Sequence, residues 1–134
     1  MAVAILKKSQ GGADNIVWTN GTGSSKAAGM PFVVEEEDSN LKGVAMIPLN
    51  TIANGGTGTV YTKGEFTIDK TSATEFSIGE TVYFDESTDT ADDVDTATAD
   101  GDFVLGYCTE AATSAVDYVD FALNEGADAY TVVS

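Results

Sequence analysis

The chain has 134 residues, with 6 basic residues, all lysine, against 22 Asp plus Glu and no His, for a formal net charge of −16. An acidic chain without Arg is repelled by phosphate backbones, and one without His has no imidazole base, no Ser-His-Asp triad and no His-ligated metal, which argues against nucleic-acid binding and most catalysis. The single cysteine, Cys108, excludes an internal disulfide and a thiolate cluster.

The N-terminus runs Ala2, Val3, Ala4, Ile5, Leu6, then Lys7 and Lys8. This apolar stretch is too short for a secretory h-region, and its lysines follow it rather than precede it. No apolar run approaches the ~18 residues that span a bilayer. The expectation is a soluble product of a reducing cytosol with no membrane partner. The same stretch is apolar, then basic, then Gly-rich. It reads either as the first strand or frayed end of a sheet, or as an arm that adds a strand to a partner's sheet edge. In the second reading Lys7 and Lys8 meet an acidic surface.

Helix periodicity is nearly absent, and short strand-like runs broken by Gly, Asn, Asp and Ser recur instead. The predicted strands are Ile16 to Trp18, Phe32 to Val34, Val44 to Ile47, Thr57 to Thr62, Glu65 to Asp69, Thr81 to Phe84, Phe103 to Cys108, Val116 to Leu123 and Tyr130 to Val133. Lys63-Gly64 between two alternating runs predicts a tight hairpin, with Thr59, Tyr61, Phe66 and Ile68 on the core face. The continuous apolar run Phe103 to Cys108 predicts a strand covered on both faces. Alternation slips near Tyr118, which predicts a bulge. Ser72 and Glu75 fit a capping box, hence one short helical turn. The pattern as a whole predicts an all-β fold: a single small barrel, tulip-like or sandwich domain over 16–124. An extended N-terminal arm over 1–15 and a short C-terminal tail over 125–134 complete it.

Candidate chemistry is weak throughout. Asp85 to Asp102 holds eight acids and no base. An EF-hand register from Asp85 places Ser87 and Asp89 well, but puts Thr90 where Gly is required and Thr96 where the bidentate Glu is required. A solvated acidic loop is the better reading. Glu35 to Asp38 is a run of adjacent acids in a turn, without the desolvating pocket that catalytic carboxylates need. Gly21 to Lys26 has the flavour of a phosphate loop, yet Ser25 stands where Gly must precede the lysine and Ala27 where Ser or Thr must follow. Asn20-Gly21-Thr22 is a formal glycosylation sequon with no export signal beside it. Cys108 inside an apolar strand reads as an inert buried thiol, and Trp18 as a core or rim aromatic.

Several segments occur in a telling order: Gly43-Val44-Ala45, Gly55 to Gly58, Phe66 to Lys70, Gly79 to Asp85, Gly106 to Ala111 and Val116 to Asn124. In that order, over residues 40–124, the chain resembles the small capsid decoration, or cement, proteins of tailed bacteriophages. The resemblance implies a tulip- or barrel-like fold with no catalytic residues and no cofactor. It implies attachment to the outside of an icosahedral head, with the major capsid protein as partner and homo-trimers or other symmetric clusters as the arrangement. The product would be made in the host cytoplasm and end on the capsid exterior, cementing neighbouring subunits against internal DNA pressure. Ala2, Val3, Ala4, Ile5, Leu6, Lys7 and Lys8 are the candidate capsid contacts. The competing reading is a secreted or surface β-sandwich that binds carbohydrate or calcium. It requires exposed aromatics beside the acidic loop, whereas Tyr61, Phe66, Tyr83, Phe84, Tyr107, Tyr118 and Phe121 mostly fall in core-like patterns.

Overall fold

The computed structural model describes residues 5–8, 14–34, 41, 43–71, 73–93, 102–126 and 128–132, the first of these ranges by backbone alone. Strands form where β-branched and aromatic residues alternate, and turns where Gly, Asn and Asp accumulate. The strands are β1 (Ile5–Lys8), β2 (Asp14–Thr19), β3 (Ile47–Pro48), β4 (Thr57–Lys63), β5 (Glu65–Asp69), β6 (Thr81–Asp85), β7 (Thr90–Asp92), β8 (Phe103–Glu110) and β9 (Tyr118–Leu123). No helix is found among the described residues. They build two antiparallel sheets, one in the order β1-β5-β9-β8-β6-β7 and a smaller one in the order β2-β4-β3. The all-β expectation holds, in its sandwich-like form. One parallel bridge, Lys70 to Ala91, curls β5 toward β7 without closing the large sheet into a barrel.

The predicted Lys63-Gly64 hairpin does not form, because β4 and β5 lie in different sheets. β4 pairs with β2 and β3, and β5 with β1 and β9. Gly64, at φ 140°, a conformation that suits glycine, lets the chain step from one sheet to the other. Its carbonyl accepts the Leu123 N–H at 2.8 Å, so the step is stitched to the end of β9. A two-residue break between alternating runs looks the same in sequence whether the chain reverses or crosses over. Tyr61 and Phe66 remain neighbours across the step, edge to face with ring centroids 5.5 Å apart.

Two apolar clusters follow. The main core lies on the large sheet and gathers Phe66, Ile68, Val82, Phe84, Phe103, Leu105, Cys108, Val119, Phe121 and Leu123, with Ile47 and the half-buried Tyr61 reaching it from the small sheet. The second core holds Phe32, Met46, Ile52 and Val60, flanked by Ile16 and Trp18. The small sheet is thus covered on both faces at its inner end. This explains why Val60, read as outward-facing, is fully buried while Thr59 is only half-buried. Each buried Phe contributes on the order of 2–3 kcal/mol of hydrophobic stabilisation.

Three further expectations are corrected. The bulge lies opposite β9, between Cys108 and Glu110 of β8, and Val116 sits in the preceding turn rather than in the strand. The segment at 71–76 is a turn, closed by Thr74 N–H on Thr71 O (3.2 Å) with Ala73 at φ 68°, so no helical turn forms there; Ser72 lies outside the described residues. Phe32 and Val132 make single bridges, to Met46 and Phe103, instead of belonging to strands. Val133 lies outside the described residues.

Two positions carry the architecture. The Asn124 carboxamide, buried and at φ 57°, donates to Ala45 O (2.7 Å) and Thr62 O (2.8 Å) and accepts from Ala45 N–H (3.0 Å). It pins the small-sheet segments to the end of β9. At Gly106 a Cβ would stand 1.8 Å from the Ala122 carbonyl oxygen, so β8 and β9 approach each other only because this residue has no side chain. Gly106→Ala is expected to cost about 3 kcal/mol or more in denaturant unfolding. Gly21→Ala, whose Cβ would meet nothing within 4 Å, should stay within about 0.5 kcal/mol. Asn124→Ala leaves two buried backbone groups of Ala45 and the part-buried Thr62 O without this partner and should cost about 2–4 kcal/mol.

Candidate functional site

The acidic stretch 85–102 is not a uniformly solvated loop. Thr90–Asp92 forms edge strand β7, antiparallel to β6, and Asp85, Asp92 and Asp102 are buried. Each is held by donors. Asp85 Oδ1 accepts from Ser87 N–H and Oγ, Asp92 Oδ2 from Thr71 Oγ1 (2.9 Å), and Asp102 Oδ1 from Glu86 N–H (3.1 Å). Asp120 of β9 takes Thr67 Oγ1 at 2.6 Å. No buried side-chain N or O among the described residues is left without a partner. These carboxylates work as internal acceptors that tie turns to strands, the role buried polar groups must fill to be tolerated. No group of acids, thiols or imidazoles able to hold a metal occurs among the described residues. Residues 94–100 and the run Glu35 to Asp38 lie outside them.

The Gly21–Lys26 loop is organised around Asn20. This fully buried amide donates to Ser24 O (2.8 Å) and Ile52 O (3.0 Å) and accepts from the Thr22 N–H and hydroxyl. Gly23 N–H is taken by Asn54 Oδ1 (3.0 Å). The amides that would cradle a phosphate are therefore already engaged. The sequon nitrogen is buried with two acceptors of its own, which closes it to glycosylation by geometry.

Trp18 is half-buried at the rim of the second core, its ring 5.0 Å from Phe32. Phe66, Phe84 and Phe121 are fully buried and Tyr61, Tyr83 and Tyr107 half-buried, which leaves Tyr118 as the exposed member of the predicted aromatic set. It borders a depression of about 200 Å³ with Glu110 and Asp120, below the roughly 300–1,000 Å³ of small-molecule sites.

Of the candidate contact residues, Ile5, Leu6, Lys7 and Lys8 form β1. Its register on β5 places Ile5 opposite Thr67, Leu6 opposite Phe66 and Lys8 opposite Glu65, with an irregularity at Lys7. Ala2, Val3 and Ala4 lie outside the described residues. β1 runs antiparallel beside β5 in the large sheet, and β2 beside β4 in the small one. At the other end of the chain, Thr131 O accepts Val104 N–H (2.9 Å) and Val132 bridges Phe103. The last described residues thereby extend the lane that β9 leaves.

Cys108 is fully buried in β8, its Sγ donating to Glu110 O at 2.9 Å. Burial pushes its thiol up from the ordinary value, and the Glu80, Asp120 and Glu110 carboxylates push the same way. It is the opposite of an activated nucleophile.

The fold is a two-sheet sandwich whose described buried acids and amides are engaged in internal hydrogen bonds. The chain belongs to the phage cement protein family, whose model matches residues 9–123. Neither the curated proteins nor the solved structures contain a match. The family is structural and non-enzymatic, so the protein is a capsid-stabilising component of the phage virion, located at the capsid and binding capsid proteins. The matched span starts just after β1 and ends on the last residue of β9.

Cys108 in the folded protein should be alkylated by a small thiol reagent at pH 8.5 at least about a hundredfold more slowly than in the unfolded chain. Because its folded pKa is raised, the thiol's contribution to stability is whole below the unfolded pKa and lost as pH rises through the folded one. Thermal midpoints should therefore fall less on the alkaline side in Cys108→Ala than in the natural protein.

Proposed function

We propose that this protein sits on the outer surface of an icosahedral head and bridges neighbouring major capsid subunits, holding them together against the outward pressure of packaged DNA. The observation that carries the exterior placement is charge. A chain at −16 is repelled by packaged phosphates, whereas on the outside the same charge keeps particles apart and soluble. The body over 16–124 is the rigid clamp. Residues 1–15 are its reaching arm, and Ala2, Val3, Ala4, Ile5, Leu6, Lys7 and Lys8 contact the capsid. Among the described residues β1 pairs only with β5, which supports a partner strand continuing the large sheet beyond it. The arrangement is a homo-trimer or another symmetric cluster formed on the shell. There several weak contacts sum to strong attachment through effective concentration.

Purified protein mixed with undecorated expanded heads should bind saturably and stoichiometrically and raise the temperature at which heads rupture. Absence of binding to both expanded and unexpanded heads would end the reading. Deleting residues 1–8 should weaken binding about tenfold or more while Trp18 emission is retained and the unfolding midpoint falls only by the loss of the β1–β5 pairing. Normal decoration by the deletion variant would remove the arm as an anchor.

A further inference from the structure

The small sheet overhangs the large one. On the face it shares with the main core, Ile47 and Tyr61 are opposite each other and both pack inward. Two residues further out along β4, Val17 faces Thr59 in register, and Leu49 N–H bonds Thr59 O at 3.0 Å. Residues opposite one another across an antiparallel pair share a face, and positions two apart along a strand return to it. Val17, Thr59 and Leu49 therefore form a row that continues the Ile47–Tyr61 face past the end of its cover. Val17 is 75% exposed and Leu49 50%. Val17 sits in a strand, where a valine this exposed stabilises little by itself.

The row borders an open strand edge. Among the described residues β2 pairs only with β4. Asn20 N–H bonds Gly56 O at 2.8 Å, and backbone groups alternate sides along a strand. Trp18 and Ile16 thus turn theirs toward β4, and Val17 and Thr19 turn theirs outward.

Charge sets this end of the molecule apart. Residues 15–34 and 43–62 contain Lys26 and no carboxylate, whereas 15 of the 22 acids fall in 71–134, which has no base. At the opposite end of the small sheet the Val34 carbonyl takes Gly43 N–H, and Gly43 backs directly onto Tyr130. Two copies at −16 each repel at long range, so a second copy is a poor occupant for this neutral overhang. A polypeptide of another kind meets no carboxylate from residues 15–34 or 43–62 there.

Resting on the capsid-binding function above, we propose that the Val17–Thr59–Leu49 row and the β2 edge face the shell, and that their occupant is an extended, uncharged segment of the capsid subunit that adds to β2 as a further strand. The strand's amides supply affinity, and an apolar side chain covering Val17 and Leu49 supplies register.

The test measures binding of full-length variants to undecorated expanded heads. Val17→Asp and Leu49→Asp should each weaken binding about tenfold or more. Val17→Thr, which keeps the shape and the strand preference, should weaken it less. Ile78→Asp, a charge placed on a residue 70% exposed outside the small sheet, should stay within about twofold. Amide exchange at Val17 and Thr19 should slow on decoration. If the natural protein decorates heads and the Val17 and Leu49 variants do so equally well, the surface is misassigned. If it sediments as an oligomer that Val17→Asp dissolves without loss of head binding, the occupant is a second copy and the proposal falls. Unchanged exchange at Val17 and Thr19 on decorated heads would overturn strand addition. Failure of the natural protein to bind heads at all overturns the capsid reading itself, and this inference with it.

Discussion

A single carboxamide ties the two sheets together at the edge of the core they share. Asn124 stands at the end of β9, where its own N–H bonds Leu105 O, and its side chain reaches Ala45 and Thr62 on the small-sheet side. An amide in this position ties β9 to small-sheet segments that β9 itself does not pair with. The neighbouring step at Gly64 is fixed by Leu123, one residue earlier. Sheet-to-sheet geometry therefore depends on one short stretch at the close of β9. A clamp transmits force only if its parts do not shear, and directional buried hydrogen bonds add to the interdigitated core in resisting it.

The acid excess finds its explanation in the same logic. In the large-sheet half, carboxylates that fall inside are each matched to Thr or Ser hydroxyls and backbone N–H groups, as at Asp92 with Thr71 and Asp120 with Thr67. Lys70, the last base in the chain, is itself buried and donates to Thr74 O. The acids concentrate after Lys70, whereas residues 15–34 and 43–62 hold none. A molecule polarised in this way presents its surfaces unequally to any charged or uncharged neighbour.

Much of this was legible in the residues. Glu65 to Asp69 is a strand with those ends, and the core faces of β5 and β8 follow from Phe66, Ile68, Phe103 and Leu105. What escaped had a physical reason in each case. Lys63-Gly64 carries a hairpin signal because local chemistry specifies a break in alternation, and the choice between reversal and crossover is made by distant partners, β2 and β9. The buried positions of β7 were hidden because Asp92 looks solvated in sequence; its acceptors are matched by Thr71, twenty-one residues away. The Ser72–Glu75 box met a backbone already committed by Thr71 N–H on Ala91 O. On the candidate site, the apolar-basic start was visible as composition. The Val17–Thr59–Leu49 row was not, because exposure at a sheet's overhang depends on where the other sheet stops.

That dependence is general to small sandwiches. Two sheets of unequal extent cannot cover each other completely, and the uncovered remainder is either made polar or left for a partner. Here the remainder is split. Tyr118 on the large sheet lies beside Glu110 and Asp120, whereas residues 15–34 and 43–62, which carry Val17 and Leu49, hold no carboxylate. An apolar row at an open strand edge is an aggregation hazard in a free protein, and edges are ordinarily blunted by charge, proline or a bulge. The β2 residues from Asn15 to Thr19 include none of these, apart from an irregularity at their inner end. The one carboxylate of β2, Asp14, stands at that same inner end. Mutual repulsion between strongly anionic copies guards the edge in solution instead, which leaves it unguarded only toward a surface that does not share that charge.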